Sequence, residues 1–148
     1  MIVRAGVLLA AALAVAGCVA PAPTVGAYQS KAARTASAAL SEVETARLAV
    51  AANRAGRMPR AYLEVLVSGA EEAFGSVQQT FDSVQPPDDP AADAVRDALD
   101  KLLADGADGL GALRIATRRA DHSTMDRAAA DLATVANGLS TFDPTEVG

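Results

Sequence analysis

The sequence predicts an all-α fold, an up-down-up-down four-helix bundle, on three observations. Small and apolar residues recur at steps of three and four from Tyr28 to Phe142, the spacing that places them on one helical face. No stretch shows the period-two alternation of a half-buried strand. Short breaker segments, "RAGRMP" and "QPPDDP" among them, separate the periodic runs, and helices of about 20–30 residues with short connections pack as antiparallel neighbours.

The first run starts at Tyr28 and carries Ala32, Ala36, Ala39, Val43, Ala46 and Val50 on one stripe. It ends near Arg54, where Gly56 and then Pro59 break the helix. The second run opens at Pro59, whose missing N–H costs nothing in a first turn. Its stripe is Leu63, Val67, Ala70, Phe74, Val77, Phe81 and Val84, and it stops at the Pro86-Pro87 turn because a residue before proline avoids the helical region. Asp89 is the expected N-cap of the third helix and Pro90 its first residue.

The third stripe reads Val95, Leu99, Leu102, Gly106, Gly109, Leu113 and Ala116. An interior glycine costs about 0.8–1 kcal/mol of helix propensity against alanine, yet Gly106 and Gly109 fall on the stripe itself. That points to a close helix contact there, with a kink as the alternative. The fourth helix opens at "STMD", with Ser123 and Asp126 spaced as a capping box. Its stripe is Met125, Leu132, Val135, Leu139 and Phe142; Asp143-Pro144 ends it, and 144–148 should fray. The bundle is therefore expected over 28–143. Alanine-rich faces let helix axes approach closely, and the chain has no tryptophan. The expected core is thin and closed, without a large pocket.

The amino-terminal segment differs from all of this. Arg4 precedes an uncharged run from Gly6 to Ala16. That run is shorter than the roughly 20 residues a membrane-spanning helix needs, so 1–17 reads as a secretory signal peptide. The run ends in Val15-Ala16-Gly17-Cys18, and Cys18 is the single cysteine of the chain. No disulfide can form within one chain; a buried free thiol is the alternative reading of Cys18. Pro21, Pro23 and Gly26 make 18–27 an extended tether, able to lift the domain at most about 30 Å.

Composition and charge narrow the function classes. Without Arg4 the chain carries 12 basic and 18 acidic residues, a formal charge of about −6, whereas general nucleic-acid binding needs a basic footprint. His122 is the single histidine, and Glu71-Glu72 has no histidine at the spacing of a di-iron bundle, so no metal site is expected. Neither a haem-attachment nor a phosphate-loop motif is present. Asp121, His122 and Ser123 contain triad residue types, but triad geometry is spatial and adjacency does not supply it. No catalytic residue and no cofactor is assigned.

The predicted topology gathers charge by end. Helix 1–2 and helix 3–4 connections share the end away from the tether. That distal end collects Arg54, Arg57 and Arg60 with Arg114, Arg118 and Arg119. The proximal end collects Asp82, Asp88, Asp89, Asp93 and Asp97, with Asp143 and Glu146 nearby. Helix-dipole compensation, about 0.3–1 kcal/mol per charge, accounts for Arg54, Arg118, Arg119 and the aspartates of helix three. It does not account for Arg60 at a helix start. The arginines form a candidate tip for an anionic envelope polymer or protein.

Val15-Ala16-Gly17-Cys18 resembles the lipobox of bacterial lipoproteins, with valine where leucine is preferred. The resemblance implies a diacylglyceryl group on the Cys18 sulfur, cleavage just before Cys18, and attachment to the outer face of the cytoplasmic membrane. From that motif to "FDSVQPPDDP" the chain is similar to small helical lipoproteins of Gram-positive, actinobacterial envelopes. Those share a lipobox, an alanine-rich first helix, a Pro-Pro turn and further amphipathic helices. The resemblance implies a place and a fold, not a reaction. The histidine some of them carry after the Pro-Pro turn is missing from "DDPAADAVRDAL". The expected function is a non-enzymatic interaction or scaffold module. The alternative is a small-ligand-binding or sensory bundle, with a cavity opened by Ala46, Ala70, Gly106 and Gly109.

Overall fold

A computed structural model describes residues 22–147, and among them the chain forms α1 (Val25–Arg54), α2 (Arg60–Asp82), α3 (Pro90–Arg119) and α4 (His122–Thr141). The described residues contain no strand. Cys18, the lipobox residues Val15, Ala16 and Gly17, the signal segment 1–17 and most of the tether lie outside the described residues. No helix among the described residues is long and apolar enough to cross a membrane.

Each helix packs on its chain neighbour, and α1 closes the bundle against α4. Across the diagonals the backbone of α1 also comes close to α3, whereas α2 and α4 stand farther apart. The asymmetry follows from side-chain size. Five of the buried residues of α1 are alanines, Ala32, Ala36, Ala39, Ala46 and Ala49, and small residues let two axes approach. The larger side chains fill the wider spaces: Phe74 and Phe81 from α2, Leu99, Leu103, Leu110 and Leu113 from α3, and Leu132 from α4 are all buried.

α3 runs unbroken through Gly106, Gly109 and Gly111. A Cβ at Gly106 would stand 2.5 Å from Cζ of Phe74, and one at Gly109 would stand 2.8 Å from Cδ2 of Leu132. Those glycines leave room for side chains of α2 and α4. The stripe of α3 differs from the expected one at two places. Leu103 and Leu110 are buried in the core, in place of Leu102 and Gly109. From Leu99 the buried positions step 4, 3, 4 and 3 where the expected ones stepped 3, 4, 3 and 4; both sets share Gly106 and Leu113 and differ only in which flank of one helix face is covered, which the neighbouring helices decide. Leu102 instead lies against Gly138 of α4, where a Cβ would meet its Cδ2 at 2.6 Å.

Three ends also differ from expectation. α1 begins three residues early, at Val25, because the Thr24 side chain accepts from the Ala27 N–H, and Ala22 is already buried. The expected tether over 18–27 is therefore shorter. The N-cap of α4 is Asp121, not Ser123. Asp121 reaches three donors at once, the Thr124 N–H at 3.0 Å, the Thr124 hydroxyl at 2.7 Å and the Ser123 hydroxyl at 2.9 Å. The expected fray over 144–148 begins later: Pro144 is buried and its carbonyl accepts from Gln29 Nε2 at 3.1 Å.

Those Asp121 bonds favour its charged form, those from Thr124 most, and pull its carboxyl from 3.8 to about 2. A depressed folded pKa gives stability that is present above the unfolded value and lost as pH falls through the folded one. Asp121→Asn is therefore expected to flatten the acid limb of the stability curve between pH 3.8 and about 2. Urea unfolding at several pH values reads this; an unchanged acid limb would count against the cap.

Candidate functional site

The distal end is assembled from the C-termini of α1 and α3 and the N-termini of α2 and α4. Its two connections are closed in the same way. After α1, Gly56 takes φ 67°; its N–H donates to the Asn53 carbonyl and the Arg57 N–H to the Ala52 carbonyl, each at 2.9 Å. After α3, Ala120 takes φ 54° and the Asp121 N–H donates to the Ala116 carbonyl at 3.0 Å. Both are left-handed helix stops that use up orphan carbonyls. Asn53 Nδ2 then donates to the Met58 carbonyl at 2.8 Å, and Met58 packs on the core. Arg57 thus projects from a backbone fixed on either side.

All six arginines of the expected tip lie in the distal half of the bundle, but in two groups. Arg54 pairs with Asp126 of α4. Arg60 pairs with Glu64 one turn on, Nε to Oε1 at 2.8 Å. Arg114 reaches across to α2, Nε to Oε2 of Glu71 at 2.5 Å, with both side chains about 30% exposed. Arg57, Arg118 and Arg119 are exposed and have no ion pair among the described residues. The Glu64 pairing accounts for Arg60 at a helix start, which the helix dipole did not. Of the six expected tip arginines, three are thus without an ion pair among the described residues. Each offers a planar fork of donors suited to carboxylate or phosphate oxygens.

The same half of the molecule leaves large apolar side chains in water. Leu48 is 67% exposed, Tyr62 67%, Val65 68%, Leu66 38% and Ile115 43%. Sequence reasoning missed this set. The signal was present: "YLEVLV" places five apolar residues in six, more than one helix face can bury. Arg118 shares a surface groove of about 510 Å³ with Val65, Ser68 and Gly69.

The proximal end is acidic and mostly structural. Asp89 caps α3 by accepting from the Ala91 N–H at 2.9 Å, and Asp93 follows in its first turn. Burial, more than the neighbouring Asp82 and Asp97, pushes the Asp100 carboxyl upward, while Arg96 opposes the rise. Tyr28 is fully buried beside Phe81, ring centroids 5.6 Å apart, and its hydroxyl has no hydrogen-bond partner among the described residues. No set of three or more His, Cys, Asp or Glu residues among the described residues is arranged to hold a metal ion. His122, at the first position of α4, is exposed.

The space expected to open at Gly106 and Gly109 is filled by Phe74 and Leu132. The concavities found run between helices at the surface. One of about 450 Å³ is bordered by Asp105, Asp108 and Asp131 between α3 and α4. Comparison with protein-family models, with curated proteins and with solved structures finds no match.

Proposed function

We propose that the chain is a cell-envelope lipoprotein, held by a lipid on Cys18 at the outer face of the cytoplasmic membrane, and that its bundle is a non-enzymatic interaction module. One observation supports the second part most directly. Arg57, Arg118 and Arg119 are exposed and without an ion pair among the described residues, in the same half of the bundle as the exposed apolar side chains and away from the tether. α1 has 30 residues at about 1.5 Å each, so that end lies about 45 Å from the start of the helix. Asp82, Asp88, Asp89, Asp93 and Asp97 lie at the other end, where an anionic leaflet repels them, whereas Glu64, Glu71 and Asp126 in the distal half are paired with arginines. A partner recognised at the tip is anionic, an envelope polymer or a protein.

Two acyl chains give stable anchoring where one binds marginally. Cells grown with an alkyne fatty acid are expected to label the wild-type chain, and Cys18→Ala is expected to abolish the label and leave an uncleaved precursor. Labelling that survives Cys18→Ala would sink the anchor. For the tip, replacing Arg57, Arg118 and Arg119 with glutamine is expected to weaken salt-sensitive retention on isolated envelope. Exposed charges are screened beyond about 8 Å at physiological salt, so the difference is largest at low salt. Equal retention of the two proteins at low salt would leave the tip as a solvated helix end.

A further inference from the structure

We propose that the proximal half of the α1–α2 seam is a groove for the phosphate end of an anionic phospholipid, drawn from the leaflet that holds the anchor. This rests on the lipoprotein reading above and adds a ligand site to it. The first argument is shape. Two concavities of about 300 Å³ each follow one another along the seam, and Arg34, Thr35 and Thr80 border both. They make one continuous groove, with Lys31 and Val84 at the tether end and Ala38 and Val77 at the other. Its floor is apolar, since Val77 and Val84 are half-buried and pack on the core.

The second argument is charge. Lys31 and Arg34 line the groove, and no carboxylate does among the described residues. α1 carries no acid before Glu42, and Arg34 has no ion pair among the described residues. Arg34 and Thr80 border the same concavity from α1 and α2. Glu42 stands eight residues past Arg34, and Glu72 eight residues from Thr80 in the same direction, about 12 Å along each helix. That exceeds the screening length of about 8 Å at physiological salt. Asp82, at the end of α2, acts on Tyr28 and on Asp100 of α3, so it lies toward α3. Asp88, in the turn past Val84, is the acid to set against the two cations.

The third argument is hydrogen bonding and place. Ser76 and Thr80 donate their hydroxyl protons to carbonyls one turn back, at 3.1 and 2.8 Å. Thr35, half-buried in the middle of the groove, makes no such bond among the described residues. Arg34 Nε donates to the Ser30 carbonyl at 3.2 Å, which leaves its terminal nitrogens to an anion. Phosphate oxygens suit both groups, and the glycerol and upper acyl carbons of a lipid cover Val77 and Val84. Free phosphate leaves that floor bare. The lipid is also close at hand. Lys31 is six residues past Val25, about 9 Å along α1. Cys18 is four residues before the buried Ala22, at most about 13 Å of chain. A bundle that leans onto its α1–α2 side brings the groove to the headgroups and lifts Asp93 and Asp97 of α3 away from them.

The test uses the full-length protein on phosphatidylcholine vesicles doped with a trace of photo-crosslinking phosphatidylglycerol or, separately, photo-crosslinking phosphatidylcholine. Peptide mapping is expected to place the phosphatidylglycerol crosslinks in 31–38 and 76–84, about fivefold or more above phosphatidylcholine. Arg34→Gln is expected to remove most of that difference at low salt. Ala38→Glu, at an exposed position, sets an acid in the groove and is expected to do the same with unchanged helix content. Arg57→Gln with Arg118→Gln, outside the groove, is expected to leave the yield as it is. Equal yields from the two lipids, crosslinks spread over α3 and α4, or yields untouched by both groove variants overturn the inference. Displacement of the phosphatidylglycerol probe by millimolar inorganic phosphate assigns the groove to a free anion and overturns it as well. Groove crosslinking that persists when acyl labelling shows no lipid on Cys18 overturns only the lipoprotein reading.

Discussion

Phe74→Ala is expected to cost about 3–5 kcal/mol of unfolding free energy, the range for a buried phenylalanine. Domains of this size hold about 5–15 kcal/mol in all, so the loss is a large fraction of the total. Phe74 is 1% exposed, and its ring occupies the place where α3 has no side chain, at Gly106. Leu103 and Leu110 are buried one turn to either side of Gly106 on α3, and such neighbours limit how far the hole left by the ring collapses. Gly106→Ala attacks the same contact from the other side. The new Cβ would meet Cζ of Phe74 at 2.5 Å and Cε2 at 3.0 Å, and an enclosed ring has nowhere to swing. The overpacking cost of about 1–3 kcal/mol then exceeds the roughly 1 kcal/mol of helix propensity that alanine adds. Combining Gly106→Ala with Phe74→Leu should cost less than the two single changes summed, because the shorter side chain makes room for the methyl. Urea midpoints for the four proteins of the cycle measure this. Strict additivity, or a Phe74→Ala loss below about 1 kcal/mol, would mean that the two residues do not share one space.

Tyr28 is expected to give effects of opposite sign at one position. Tyr28→Phe keeps the ring against Phe81 and removes a buried hydroxyl that has no partner among the described residues. An unsatisfied buried polar group costs about 1–3 kcal/mol, so the phenylalanine variant should be more stable by about that amount. Tyr28→Ala should instead lose about 3–5 kcal/mol with the ring. The pH dependence follows from the same burial. Desolvation raises the phenol above its ordinary value of 10.0, and Asp100, Asp93 and Asp82 add to the rise against Arg96. With the folded pKa above the unfolded one, this residue's contribution is intact below pH 10 and is lost as pH rises through the folded value. Wild type should therefore lose stability above pH 10 more steeply than Tyr28→Phe. A destabilised Tyr28→Phe would show that the hydroxyl is bonded to an enclosed water.

Particular residues show what was legible beforehand. Leu63, Val67, Ala70, Phe74 and Phe81 form the buried face of α2 as their spacing requires, because a 3.6-residue period is a property of the chain alone. The stops at Gly56 and the Pro86-Pro87 turn were equally local. The shift from Ser123 to Asp121 at the α4 cap was not, since both types cap well and the choice depends on where α3 ends. Among the arginines, the Arg60–Glu64 pair stands at i,i+4 and was open to reading. Arg114 and Glu71 are 43 residues apart, and no spacing rule connects them.

The sequence by itself determined the helix count, the helix ends to within a few residues and the buried face of each helix, because propensity, capping and period act over one to four turns. It also carries the whole case for an anchor at Cys18. Only the tertiary structure decided which guanidinium groups are neutralised and which apolar side chains stay in water. Arg54 is paired with Asp126, and Arg114 with Glu71, while Arg57 and Arg118 have no ion pair among the described residues and Arg118 shares a groove with Val65. Whether a charge is paired or a side chain covered depends on the neighbour that packing brings from a distant helix, and that neighbour is set by how all four helices share one core.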